Sequence, residues 1–201
     1  MGGGCIAPSL KKEEISPMES VKIGLIRVLT THDEKVLNAH AELLKSYFSN
    51  FDIETRCIAD QDEGIHDEET KSIAVPKILD LASEFERKGK DAIFVSCADD
   101  PAVAEAKNLL KIPVIGAGSA CAYVALSIGN RIGTLGITEE APAVMSKILG
   151  EKLIYNVKPE RVNTTVDLMK GEGKENAIKA ALILKDKGCD TLALSCTGMS
   201  T

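Results

Sequence analysis

Tryptophan is absent from this chain, and only 3% of its residues are aromatic. A platform for stacking nucleobases or sugar rings needs several aromatic faces, so that class of site is not expected. A basic excess is missing too. Lys and Arg number 24 against 30 Asp and Glu, a net charge of -6, the wrong sign for gripping a phosphate backbone. No apolar run approaches the length of a membrane span, so neither nucleic acid nor membrane is an expected partner. Histidine is scarce: His32, His40 and His66 are the three copies, and none stands near a cysteine in sequence. The six cysteines, at 5, 57, 97, 121, 189 and 196, form no CxxC pair. Neither a zinc site nor a disulfide framework is therefore expected, and the thiols read as reduced, in the cytoplasm.

The first twenty residues, "MGGGCIAPSLKKEEISPMES", hold Gly, Pro, Ser and charge without periodicity. They read as an added segment outside the fold, with Met18 as an alternative start. They lack the apolar stretch of a signal peptide, and Ile6 stands where a myristoylation signal wants Ser or Thr.

From Val21 onward strands and helices alternate. "VKIGLIRV" is a continuous apolar run, as a parallel strand covered on both faces requires. Val36, Leu37, His40, Leu43, Leu44, Tyr47 and Phe48 then fall at helical spacing. "DIETRCI" follows as a strand, and about 67–88 as a helix with Ala74, Ile78, Leu81, Ala82 and Phe85 inward and Gly89 as its stop. "DAIFVSC", "AVAEAKNLL" and "IPVIGAG" read as strand, helix and strand. The pattern restarts at "RIGTLGIT", continues through "KLIYNV" and a helix over 174–187 with Ile178, Ala181 and Leu182 inward, and closes on "DTLALSC". The expected fold is α/β with two pseudo-symmetric lobes, each a parallel sheet flanked by helices. The first lobe spans 21–117 and the second 118–201, as a duplicated unit.

The duplication is clearest in "GKDAIFVSC" and "GCDTLALSC", which place Cys97 and Cys196 at equivalent strand ends. Ligands of open parallel sheets lie beyond the carboxyl ends of the strands. Asp100 and Pro101 read as the N-cap and first residue of a helix, whose dipole would lower the Cys97 pKa. Cys57, Cys121 and Cys189 read as structural. Two facing thiols suit the movement of a proton from one face of a carbon to the other: one abstracts, its partner returns, and backbone amides steady the enolate between. This chemistry calls for no cofactor and no metal.

Two motifs compete for attention. "GAGSAC", Gly116 to Cys121, with Glu139 downstream, is most of a dinucleotide fingerprint, but Cys121 stands in place of the third glycine. The milder reading is an anion-friendly loop offering Ser119. "DQDEGIHDEET" has Gly64 and Lys71 where a calcium loop needs ligands, so it reads as a solvated acidic connection.

On the stretches "KIGLIRV", "SCADDPAV", "IPVIGAGSA", "RIGTLGITEE" and "LSCTGMST", spread over Val21 to Thr201, the chain resembles the aspartate/glutamate racemase superfamily. It is most like the hydantoin racemase branch, to which "SCADDP" and "CTGM" are fairly specific. The resemblance implies a small-molecule substrate between the lobes and cofactor-independent racemisation by Cys97 and Cys196. It also implies that Thr30, Ala98, Ser119, Thr138, Thr197 and Gly198 hold the substrate. "LTTHD" departs from the Asn-containing loop common after the first strand of that branch. The family fold also continues past the second cysteine with a helix that would bring amides near Cys196. A 5-substituted hydantoin or allantoin-like ring is the expected substrate, and a homo-oligomer the expected assembly. An aspartate/glutamate-type racemase, or a related decarboxylase or isomerase, is the alternative; an NAD-binding or a non-catalytic binding protein is more distant.

Overall fold

In the computed structural model the described residues are 20–200; the N-terminal segment singled out above lies outside them, apart from Ser20. The elements alternate strictly at first: β1 Val21–Arg27, α1 Glu34–Tyr47, β2 Phe51–Cys57, α2 Glu68–Arg87, β3 Ala92–Ser96, α3 Val103–Leu109, β4 Val114–Gly116 and α4 Ala117–Ile128. Then come β5 Ile132–Leu135, α5 Ala143–Leu149, β6 Leu153–Val157, α6 Thr165–Leu168, α7 Gly171–Asp186 and β7 Thr191–Leu194. Two sheets result, ordered β2-β1-β3-β4 and β6-β5-β7, and every pairing is parallel. No helix among the described residues is long and apolar enough to cross a membrane.

The apolar runs earn their burial on both faces. On one side of the first sheet Ile26, Ile93 and Val95 meet Ala74, Ile78, Ala82 and Phe85 of α2; on the other Ile23, Leu25 and Ile53 meet Ala41 of α1. In the second sheet Ile132 and Ala193 pack with Ala122, Ala125 and Met145, while Leu135 packs with Ala180 and Leu184 of α7. The helix starts are made by side chains. Asp33 accepts from the Lys35 and Val36 N–H groups at α1, and Asp67 and Thr70 form a reciprocal capping box at α2. That box is what the acidic connection is used for.

The two lobes repeat one another at the points that set their geometry. Gly24 of β1 and Gly133 of β5 hold equivalent places. A Cβ on Gly24 would lie 2.6 Å from Phe85 Cγ, and one on Gly133 would lie 2.9 Å from Leu184 Cδ2. Phe85 and Leu184 are themselves equivalent residues of α2 and α7, both fully buried. Each helix thus plugs one large side chain into the gap left by a glycine. The Asp of each "Gly-x-Asp" is structural as well. Asp91 Oδ2 accepts the Lys22 N–H at 2.7 Å, and Asp190 Oδ1 accepts the Arg131 N–H at 3.1 Å, holding the start of each lobe's first strand. Gly89 and Gly188, with φ of 75° and 82°, end the helices in the left-handed conformation that suits glycine.

Two helix faces differ from the expected ones. Along α1 the buried residues are His40 and Ala41, whereas Tyr47 is 76% exposed and Phe48 instead stacks on Phe51 at 5.0 Å. Along α7 the inward residues are Ala180 and Leu184, and Ile178 is 57% exposed. Seating Leu184 against Gly133 fixes the rotation of α7 and turns Ile178 and Leu182 outward, leaving Ala181 half-buried.

The third difference concerns Asp100. It does not cap α3, which starts at Val103 behind Ala102. Asp100 and Ala102 both adopt positive φ, 49° and 61°, on either side of Pro101, a kinked path that costs backbone strain. The kink carries the Asp100 carboxylate to α4, where Oδ1 accepts the Gly118 N–H at 2.7 Å and Oδ2 the Ser119 N–H at 2.9 Å. A Cβ at Gly116 or Gly118 would collide with Asp100 or with the Ala98 carbonyl oxygen. The glycines of "GAGSAC" therefore admit a neighbouring loop of the protein itself. The anion seat at the start of α4 is filled by Asp100, which overturns both the nucleotide reading and the open anion loop.

Candidate active site

The carboxyl ends of β1, β3, β5 and β7 converge on a cleft of about 250 Å³ between the lobes. β1 ends at Arg27 and leads into Val28 and Leu29; β3 ends at Ser96 and leads into Cys97, Ala98 and Asp99; β7 leads into Ser195, Cys196 and Thr197. The connection after β5 adds Ile137, Thr138 and 140–143, α6 adds Thr165, and the turn before α2 adds Ile65 to Glu68.

Both cysteines sit in matching turns. The Asp100 N–H donates to the Cys97 carbonyl and the Met199 N–H to the Cys196 carbonyl, each at 3.1 Å. Each thiol also faces the N–H of the residue two places on, Asp99 for Cys97 and Gly198 for Cys196. The residue between reaches across to the other lobe. Ala98 is buried in the core of the second lobe, and Thr197 Oγ1 donates to the Ser96 carbonyl of the first at 3.1 Å.

Around these matching turns the surroundings differ. Burial pushes the Cys97 thiol up to about 12, and the Asp99, Cys196 and Asp100 charges add to the rise against the Asp99 N–H. This reverses the expectation of a lowered Cys97: the helix meant to supply its dipole begins farther along, and two carboxylates stand in its place. Burial also raises Cys196, opposed by the Gly198 N–H, the Thr165 hydroxyl and the charge of Arg27. The serines before the cysteines differ as well. Ser96 Oγ bonds His40 Nδ1 at 2.7 Å, whereas Ser195 Oγ is buried without a hydrogen-bond partner among the described residues. His40 is pushed down to about 4, first by burial and then by Arg27, against a backbone contact with Thr197.

Of the residues singled out in sequence, Cys97, Cys196, Ala98, Thr138 and Thr197 line the cleft. Gly198 stands behind Cys196. Thr30 and Ser119 are not brought there. Thr30 Oγ1 donates to the Ile58 carbonyl at 2.6 Å and accepts the Gln61 N–H at 2.8 Å, while Ser119 Oγ donates to the Gly116 carbonyl at 3.3 Å. Both are used up in local loop closure.

Sequence reasoning missed Arg27 and Thr165. Arg27 had a visible signal, a charge closing the apolar run IGLI of β1 and followed by Val28 and Leu29. Thr165 follows Thr164, whose box with Asp167 starts α6, and "TTVD" is the sequence signature of such a start.

A family model described as Asp/Glu/Hydantoin racemase matches residues 23–201. Hydantoin racemase of Rhizobium meliloti is 26% identical over 140 residues, covering 65% of this chain and 57% of that protein. Hydantoin racemase of Pseudomonas sp. (strain NS671) is 18% identical over 141 residues, 64% of this chain and 54% of the other. The chain thus spans little more than half the length of these relatives. Among solved structures, allantoin racemase from Klebsiella pneumoniae superposes with a TM-score of 0.78 at 20% identity, covering 90% of this chain and 76% of that one. With two parallel α/β lobes and a family match running through both of their Ser-Cys strand ends, the chain belongs to the Asp/Glu/Hydantoin racemase family.

Proposed function

We propose that the protein is a cofactor-independent racemase or epimerase that uses Cys97 and Cys196 as acid and base on opposite faces of a carbon acid. The observation carrying this reading is the pair of thiols in matching turns on facing lobes, each under the amide N–H two residues on. One thiolate removes the proton, the opposite S–H returns its own to the other face, and the N–H groups lower the cost of charge on sulfur.

The preferred substrate is an uncharged five-membered ring, a 5-substituted hydantoin or allantoin-like compound. The cleft is small, and its charged lining is mostly acidic: Asp67, Glu68, Asp99 and Glu140 against Arg27. Arg27 Nη1 is committed to backbone carbonyls, so among the described lining residues no cation stands ready to grip an α-carboxylate. A hydantoin C5 proton, beside a ring carbonyl, is also more acidic than that of a free amino acid, within reach of a thiolate. The relatives named hydantoin racemase and allantoin racemase act on such rings by name. Ala98, Thr138 and Thr197 would contact the ring. The hydroxyl of Thr138 already donates to the Glu140 carbonyl, which leaves its oxygen to accept from a ring N–H group.

Loss of optical rotation together with deuterium uptake from solvent at the chiral carbon tests the proposal. A panel of hydantoins, allantoin, aspartate and glutamate tests the ring preference. Racemisation that survives the double change Cys97→Ala with Cys196→Ala would end the two-thiol reading.

A further inference from the structure

Just after the Cys97 turn, Asp100 and Ala102 hold positive φ on either side of Pro101. Alanine suits that region poorly, because its Cβ crowds the backbone and it has no polar group to offset the cost. Strain of this kind persists only where the surroundings enforce it. The enforcing contact is the Asp100 carboxylate on α4, which takes the Gly118 N–H at 2.7 Å and the Ser119 N–H at 2.9 Å. Bonds to a charged acceptor are the strong ones. Gly116 and Gly118 keep the approach open, since a Cβ on either would strike Asp100 or the Ala98 carbonyl. α4 packs in the second lobe, where Ala122 and Ala125 meet Ile132 and Met145. Asp100 therefore reaches from one lobe into the other, while its own N–H donates back to the Cys97 carbonyl at 3.1 Å. The Cys196 turn is held differently: the residue equivalent to Asp100 is Met199, packed among Ile137, Val162 and Leu168.

We propose that Asp100 is a positioning residue for Cys97, whose clamp on α4 fixes the Cys97 turn against the second lobe and so sets where that sulfur stands in the cleft. The inference rests on the two-thiol reading above and adds what holds one of its sulfurs in place. Asp100 is not among the residues lining the cleft, so it acts through the turn. Its charge opposes ionisation of Cys97. Removing the carboxylate would ease that ionisation, so a variant that racemises more slowly is slow for want of position.

Three variants separate clamp from strain. Asp100→Gly suits the positive φ but loses the clamp, Ala102→Gly relieves strain and keeps it, and Asp100→Asn keeps one oxygen for the two N–H groups. Racemisation of a 5-substituted hydantoin in deuterium oxide should fall about a hundredfold in Asp100→Gly, the scale of a misplaced reacting group. Cys196 should go on washing deuterium into one enantiomer without inverting it, so the ratio of exchange to inversion rises by a similar factor. Asp100→Asn should show the same pattern to a smaller degree, and it decides the matter should Asp100→Gly fail to fold. Ala102→Gly should racemise at the unmutated rate. Exchange and inversion falling in step would mark a loosened fold and overturn the inference, as would undiminished racemisation in a folded Asp100→Gly protein, which leaves the two-thiol reading standing. Amide hydrogen exchange needs no substrate: in Asp100→Gly, or in Asp100→Asn in its place, residues 97–103 and 117–119 should lose protection while 195–199 keep theirs. Equal loss at both turns overturns the clamp. If the unmutated protein racemises no hydantoin, the two-thiol reading fails and amide protection alone decides the clamp.

Discussion

Placed side by side, the two lobes agree wherever the scaffold is fixed and part company wherever a group could take or give a proton. Gly24 and Gly133, Phe85 and Leu184, Asp91 and Asp190, Gly89 and Gly188 are pairs with the same job in each half. Arg27, by contrast, is matched by Gly136, His40 by Leu149, and Asp99 by Gly198. The first lobe carries a buried cation and a buried imidazole that the second lacks at those places. A symmetric pair of thiols is thereby set in unsymmetric surroundings, and the lesson is that duplication supplied the opposed faces while later substitution supplied their difference.

The largest effect should come from the cysteines. Either Cys97→Ala or Cys196→Ala alone should cut racemisation by roughly a thousandfold, within the range for losing a positioned acid or base. Polarimetry reads that loss. Each mutant should still wash deuterium into one enantiomer, the opposite one in each case, because the remaining thiol can take and return a proton on its own face. Equal exchange of both enantiomers by both mutants would erase the comparison.

Acid should next separate the lobes. His40 is held down to about 4 from an ordinary 6.5, so the unfolded chain binds the proton more readily. Its contribution to stability is fully present above pH 6.5, falls as the pH drops and levels off below about 4. The loss should be on the order of 3 kcal/mol at most. Hydrogen exchange should show the first lobe opening first over this window, since Leu149 in the second has nothing to titrate. Simultaneous opening of both lobes would contradict the assignment.

A smaller contrast is expected at the glycines. Gly24→Ala drives a methyl into the ring of a fully buried Phe85 and should cost about 2 kcal/mol. Gly133→Ala meets Cys189 Sγ at 2.7 Å and the tip of Leu184, and Cys189 is half-buried and can turn aside. It should cost less. Urea titration of the two variants compares them directly. The smallest effect is Thr197→Val, which removes the bond to the Ser96 carbonyl and should lower stability by about 1 kcal/mol. The twin position, Ala98, already shows that an apolar residue fits such a turn.

Much of the scaffold was legible because its signals are local. Continuous apolar runs gave the strands, and the five inward residues of α2 were read correctly because a long helix lying on a sheet leaves one unbroken apolar stripe. On α7 the stripe misled: Ile178 and Leu182 are apolar at helical spacing, but the rotation is chosen by a distant glycine that periodicity does not see. The two cysteines were legible through repetition. Asp100 was not, since a carboxylate four residues past β3 fits a local cap as well as a remote one, and a strained backbone selected the remote one. Arg27 and Thr165 left local traces, a charge closing β1 and a helix start, but only the fold brings them to the same cleft as Cys196.

The crossing of Ala98 and Thr197 into opposite lobes has a mechanical consequence. Each reactive turn is anchored in the half it faces, so the gap between the thiols behaves as a calliper set by packing rather than as a jaw on a hinge. Prising the lobes apart would drag both turns out of their seats. If the two thiols act as proposed, such a fixed gap would favour a flat ring over a bulkier molecule whatever its charge.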